Sequence, residues 1–186
     1  MMAKKTYTVS VYTENNVGLL NRISAIFLKR HINIDSFSTS ESEIPNIFRF
    51  VIVIKIESDR IEKIKSQIEK QVDVIKVFYH TDSETIFQES ALFKLPSDVL
   101  FEKRQVQNII KNSHARIVTV SREYFVLEKT GFRHETEKLR RDLEKFGLLQ
   151  FVRSGRISVT KSKLPIRDLL EKFKQNHTDQ INTDHE

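Results

Sequence analysis

The chain of 186 residues has no cysteine, no tryptophan, three prolines and four glycines, and its longest apolar run is the five residues 50–54. Each shortage removes a class of function. Without cysteine there is no disulfide, no thiolate metal site and no cysteine nucleophile. Gly18, Gly131, Gly147 and Gly155 are too dispersed to build a glycine-rich phosphate cradle, and no Walker loop, Gly-x-Gly-x-x-Gly or Gly-x-Ser-x-Gly pattern occurs. The six histidines, at 31, 80, 114, 134, 177 and 185, show no metal-ligand spacing. Glu41 and Glu43 form a carboxylate pair, but in a polar turn with no apolar surroundings to shift their acidity. No run approaches the roughly 18–20 residues that cross a bilayer. The chain opens Met1-Met2-Ala3-Lys4-Lys5 and enters a strand pattern at once, so a cytoplasmic, non-catalytic protein is expected, with no cofactor and no metal of its own.

The net charge of +6 raises the question of nucleic acid, and its distribution answers it. Residues 1–80 carry 12 Lys+Arg against 9 Asp+Glu, and residues 81–186 carry 19 against 16, so each part holds +3 with the signs interleaved. That is a solvated surface rather than a phosphate-tracking stripe.

What is present centres on residues 13–22, Thr-Glu-Asn-Asn-Val-Gly-Leu-Leu-Asn-Arg. Tyr7, Val9 and Val11 alternate with polar residues before it, a half-buried strand. Leu19, Leu20, Ile23, Ile26 and Phe27 follow it on one helical face. The asparagines are expected to cap backbone amides and Gly18 to let the backbone approach something closely, although the loop taken alone reads first as an ordinary strand-to-helix turn. A helix start also offers unpaired N–H groups and a positive dipole end, suited to a carboxylate or phosphate.

Further along, residues 32–39 read as a second strand, and Pro45 marks a turn. Phe48, Phe50, Ile52, Ile54 and Ile56 share a face of a strand over 47–56, with Val51 and Val53 making the second face partly apolar. Asp59 is expected to cap a helix carrying Ile61, Ile64 and Ile68, and residues 72–77 form a fourth strand. The order is βαββαβ, the ferredoxin-like unit. It repeats: a strand over 86–95, a helix opened by Pro96-Ser97-Asp98, strands over 115–120 and 124–129, a helix through Phe132, Leu139, Leu143 and Phe146 with Gly147 as left-handed cap, and a strand over 148–152. The expected fold class is α+β, two ferredoxin-like βαββαβ domains in tandem, spanning 5–80 and 84–161. A tail over 162–186 is expected to hold one short amphipathic helix, through Ile166, Leu169, Leu170 and Phe173, and then to fray.

The βαββαβ order is shared with RNA-recognition modules, and Phe48-Arg49-Phe50-Val51 echoes part of their aromatic signature. Ile47 and Arg49 stand where that signature needs small residues, and both phenylalanines share a face with three isoleucines, so they are expected to point into the core.

Several blocks resemble the regulatory small subunits of acetolactate synthase (acetohydroxyacid synthase), which carry an ACT domain. They are Glu14-Asn15-Asn16-Val17-Gly18-Leu19-Leu20-Asn21-Arg22-Ile23, Ile32-Asn33-Ile34-Asp35-Ser36, Val72-Asp73-Val74-Ile75-Lys76-Val77, Ala115-Arg116-Ile117-Val118, Glu128-Lys129-Thr130-Gly131, Phe146-Gly147-Leu148 and Arg153-Ser154-Gly155. The resemblance covers residues 6–161. It implies a chain with no chemistry of its own that raises the activity of a catalytic large subunit, the carrier of thiamine diphosphate, magnesium and FAD, and confers feedback inhibition by valine or another branched-chain amino acid. It also implies a homodimer through the ACT domain. Asn15 and the amides around Val17, Gly18, Leu19 and Leu20 would hold the effector carboxylate, and Asn33, with Ile34 beside it, would meet the ammonium from the partner chain. His31 and Ile32 depart from a Gly-Tyr pair common in the family, and Asn21 from a serine. The alternative is a free-standing ACT-type amino-acid sensor or RNA-recognition-like module without an enzyme partner.

Overall fold

The computed structural model describes residues 4–163 and 165–171. β1 (Lys4–Glu14), α1 (Leu19–Leu28), β2 (Ile34–Glu41), β3 (Ile47–Glu57), α2 (Ile61–Glu69) and β4 (Val74–Thr81) form a first βαββαβ unit. Its antiparallel sheet has the order β2-β3-β1-β4, which puts β1 and β3 at the centre. The period-two pattern fixes the register: Val9 lies opposite Ile52 and Val11 opposite Phe50. These residues, with Ile54 and Ile56, face Leu19, Ile23, Phe27, Ile61, Ile64 and Ile68 of the helices in one core. Leu20 does not join it. One residue turns a helix by 100°, which carries Leu20 off the face of Leu19 and leaves it 46% exposed.

β5 (Thr85–Pro96), α3 (Ser97–Glu102), α4 (Arg104–Ser113), β6 (Arg116–Val120), β7 (Tyr124–Gly131), α5 (Arg133–Glu144) and β8 (Gln150–Arg153) repeat the order around a second core of Phe93, Leu95, Val106, Phe125, Leu127, Leu139 and Leu143. The sheet runs β6-β7-β5-β8, and a further strand, β9 (Ile157–Thr160), pairs with β5. Where one helix was expected after Pro96 there are two, because Lys103 is extended (φ −108°, ψ 95°). A likeness between the units that no residue repeat announces lies at their helix ends. α1 and α4 are both followed by a left-handed histidine, His31 (φ 54°) and His114 (φ 56°), before the strand that edges the sheet. Gly147 (φ 79°) takes the same conformation after α5, as its sequence position predicts.

Two expected caps are absent. α2 begins after Arg60 with no side-chain cap, so Asp59 does not cap it, and α1 begins after Gly18, also without a side-chain cap.

The chain divides into a compact unit of residues 1–86 with 158–186 and a second of 87–157. The first therefore extends past residue 80 and includes the returning chain. Residues 166–171 are helical, and Leu170, fully buried, joins Tyr12, Ile44 and Ile47 in a third apolar cluster, with Ile166, Ile75 and Phe78 against it. Phe173 and the frayed end expected over 176–186 lie outside the described residues. On the same side of β3 as Ile47, Val51 and Val53 are already buried in a single chain.

In the second unit the family-like blocks have structural roles. Arg116 Nη2 donates to Glu128 Oε2 across β6 and β7 (2.8 Å), and bonds from Thr130 and Arg116 hold the Glu128 carboxyl below its usual range. Arg153 pairs with Glu89 (3.4 Å) and Glu137 (3.6 Å), and Ser154 exchanges hydrogen bonds with Ser90. Gly131 leaves room for Glu135, whose Oε2 accepts from the Phe132 amide (2.7 Å) at the start of α5. A Cβ on Gly131 would stand 2.5 Å from that oxygen.

Gly131→Ala is therefore expected to dislodge the Glu135 carboxylate and cost about 1 kcal/mol, the usual worth of a helix cap. Glu135→Ala should cost a similar amount and the double variant little more, measured by chemical unfolding. Full additivity would show that the two residues act separately. Leu170→Ala should destabilise the first unit by about 2 kcal/mol through lost apolar burial, read as a lower unfolding midpoint; an unchanged midpoint would show that the returning segment contributes nothing to that unit.

Candidate effector site

The loop 15–18 is built by three constraints. β1 is central in its sheet and cannot shift register, so its last residues are fixed. Glu14 pairs with Ile47, and its amide donates to the Asp73 carbonyl (3.0 Å). α1 must present Leu19 to the core immediately afterwards. Gly18, at φ 87° and ψ −9°, makes the reversal in a left-handed conformation that costs a residue with a Cβ about 1–2 kcal/mol.

The expectation that an asparagine caps the helix is corrected here. Asn16 turns away from the amides, and its Nδ2 donates to Asp73 Oδ1 at 2.6 Å. Arg22, one turn into α1, forms an ion pair with the other oxygen of Asp73. One carboxylate thus ties the loop and the helix to the start of β4. Sequence reasoning missed Asp73 and Arg22 as a pair, since they lie 51 residues apart and only the register of β4 against β1 joins them.

With no side chain across the helix start, the amides of Val17, Gly18, Leu20 and Asn21 find no acceptor among the described residues; that of Leu19 bonds the Asn16 carbonyl at 3.4 Å. These amides lie at the positive end of α1, where an anion is favoured. Arg22 and Asp73 neutralise each other, so neither attracts nor repels an incoming carboxylate strongly. A Cβ on Gly18 would meet nothing within 4 Å, so the space in front of the loop is open. Asn15 is exposed, and Val17 is as exposed as in an extended chain, at 102%.

Asn33 and Ile34 stand elsewhere. α1 reverses after Leu28, with the His31 amide bonded to the Leu28 carbonyl (3.0 Å) and the Ile32 amide to that of Phe27 (3.0 Å). Asn33, exposed, precedes β2, and Ile34, partly buried, opens it. Ten helical residues at ~1.5 Å each separate this end from Gly18 by ~15 Å. Within one chain the sequence-predicted site residues therefore fall into two groups, too far apart for one small ligand.

The RNA-binding alternative loses its stacking residues. Phe50 is buried in the first core against Phe37 (5.5 Å between ring centres), and Phe48 packs on that same core. Tyr12, on the opposite face of the sheet, is 3% exposed. Among the described residues, no group of three His, Cys, Asp or Glu could hold a metal ion.

Comparison with known proteins identifies the family. Residues 9–76 match the family model described as the AHAS small subunit-like ACT domain, and residues 88–162 match the small subunit of acetolactate synthase. An acetolactate synthase small subunit from Mycobacterium bovis is 34% identical over 160 residues, covering 86% of this chain and 95% of that protein. One from Bacillus subtilis is 33% identical over 153 residues, covering 82% and 87%. The crystal structure of the acetolactate synthase small subunit from Thermotoga maritima superposes with a TM-score of 0.76 at 27% identity, covering 86% of this chain and 99% of that one. The two family models match the two halves in order, and the relatives match over nearly their full length: the chain belongs to the family of acetolactate synthase small subunits.

Proposed function

We propose that this chain binds a branched-chain amino acid, valine or a close relative, at the loop 15–18 and thereby switches the activity of a catalytic acetolactate synthase large subunit in the cytoplasm. Membership of the small-subunit family supports the regulatory role and the large-subunit partner. On this reading the thiamine diphosphate, magnesium and FAD belong to the large subunit, and this chain raises its activity without taking part in the chemistry.

The observation that carries the site is the uncapped start of α1 behind left-handed Gly18. The free amides and the dipole end hold the effector carboxylate, and Asn15 adds a side-chain donor beside them. The ammonium end needs an acceptor that the loop does not offer. Asn33 offers one, ~15 Å away on the same chain, so a second copy supplies it. Two chains pairing side by side through α1 and the edge strand β2 bring the loop of one to the Asn33 of the other. Exposed Val17, Leu20 and Leu28 around α1 fit burial in such a pairing. The outer face of β3 does not contribute, since Val51 and Val53 are already covered. Choice among valine, leucine and isoleucine then rests on one or two methylenes, ~1–3 kcal/mol of pocket shape.

Gly18→Asp is the sharpest test. The left-handed backbone strains any side chain, and the open space takes the carboxylate without a clash. That carboxylate sits where the effector's own must lie. Two like charges ~4 Å apart near a protein surface repel by up to ~4 kcal/mol, and ~1.4 kcal/mol already weakens binding tenfold. Acetolactate formation by the reconstituted holoenzyme should escape inhibition by valine, leucine and isoleucine while activation persists. Gly18→Ala, which carries the strain without the charge, should weaken inhibition less. A Gly18→Asp holoenzyme as inhibitable as the wild type would place the site elsewhere.

Sedimentation of the purified chain with valine should give a dimer at micromolar concentration. A monomer under those conditions would remove the second copy and with it the role of Asn33. Failure to bind any thiamine-dependent large subunit would leave the sensor reading in place of the subunit reading.

A further inference from the structure

The returning chain lines a cavity in the first unit, on the sheet face opposite the helices. Its volume is about 420 Å³, within the range of small-ligand sites. Thr8, Ser10 and Tyr12 of β1, Arg49 of β3 and His80 of β4 form its polar wall. The returning residues Val159, Pro165 and Ile166, together with Phe78, form an apolar wall.

Arg49 is the unusual member. A guanidinium on a central strand of a covered sheet face normally has a carboxylate partner. Arg49 has none among the described residues. Its Nη2 donates instead to Ser10 Oγ (3.0 Å) and to the Ser158 carbonyl (2.8 Å), its Cζ lies 5.7 Å from the Tyr12 ring centre, and its Nε is buried without a hydrogen-bond partner. Of the other charges on the wall, Arg167 is committed. Arg167 Nε donates to Glu171 (2.9 Å), and Glu43 acts electrostatically on Arg167 and Tyr12. Burial, opposed by Arg49 and reinforced by Glu43, raises the pKa of the Tyr12 phenol, which stays a neutral donor.

We propose that this cavity binds a small monocarboxylate with a short hydrocarbon chain, its carboxylate on Arg49 and its chain against Phe78, Val159 and Ile166. One guanidinium without an ion-pair partner, beside neutral hydroxyl donors, matches a single negative charge. Glu43 on the same wall disfavours a dianion such as phosphate. Among the described residues no carboxylate besides Glu43 lines the cavity, and the charge of Glu43 already acts on Arg167, so an ammonium group is not called for, and the ligand differs in class from the effector at the loop 15–18. Because Arg49 also grips the Ser158 carbonyl, an occupied cavity holds the returning segment more firmly.

The test is calorimetric titration of the full-length protein with 3-methylbutanoate, which carries the acid and the branched chain without an ammonium. Wild type should bind it, Gly18→Asp should bind it equally, and Arg49→Met should bind it at least about tenfold more weakly. Arg49→Lys, which keeps a cation, should recover part of that loss. Val159→Trp, placed at an exposed rim position, should weaken binding by filling the cavity while Arg49 stays in place. The acid should also slow tryptic cleavage after Lys161 and Lys163. No heat with wild type, equal affinity in Arg49→Met and Val159→Trp, or loss of binding in Gly18→Asp would each overturn the proposal; the last would assign the acid to the loop.

Discussion

The two oxygens of the Asp73 carboxylate hold together the part of the molecule on which everything else turns. One takes the Asn16 amide and the other the Arg22 guanidinium, while the Asp73 carbonyl takes the Glu14 amide. Strand end, loop, helix start and neighbouring strand are fixed by a single residue. Because Asn16 is used in this way, it cannot fold back as a helix cap. The amides stay open as a direct consequence of the loop being secured. Rigidity and vacancy here have one cause, and a preorganised set of donors is what an anion site needs.

Much of the fold is legible in the sequence because half-buried strands and amphipathic helices impose period two and period 3.6 on their apolar residues. Phe50, Ile52, Ile54 and Ile56 behave as that pattern demands, as do Ile61, Ile64 and Ile68. β9 defeats it. Ile157 and Val159 are exposed while Ser158 is buried, so its alternation is the reverse of an ordinary strand. The break at Lys103 is equally hidden, since neither glycine nor proline marks it.

The candidate site is half legible. Asn15, Gly18 and the helix start are announced by local chemistry, and left-handed Gly18 fits the need for a residue without Cβ. Asp73 is not announced, because its role depends on which strand lies beside β1, a question of topology that no window of sequence contains. Arg49 is missed for a related reason. As a residue between two phenylalanines it reads as an interruption of an aromatic signature, and only the covered outer face of the sheet shows it as a cation with no paired carboxylate among the described residues.

The first unit is interrupted by the second: its chain leaves at residue 86 and returns at 158. The consequence falls on biosynthesis. When the four strands of the first sheet have emerged from a ribosome, Tyr12, Ile44 and Ile47 still lack Leu170. The intervening 71 residues, 87–157, take roughly 4–14 s to translate at ~5–20 residues per second. Throughout that interval an apolar face of an otherwise complete domain is open to water. A nascent chain of this kind has a period of exposure, and chance of capture by a chaperone or by another copy, set by the length of an insertion rather than by the speed of its own folding.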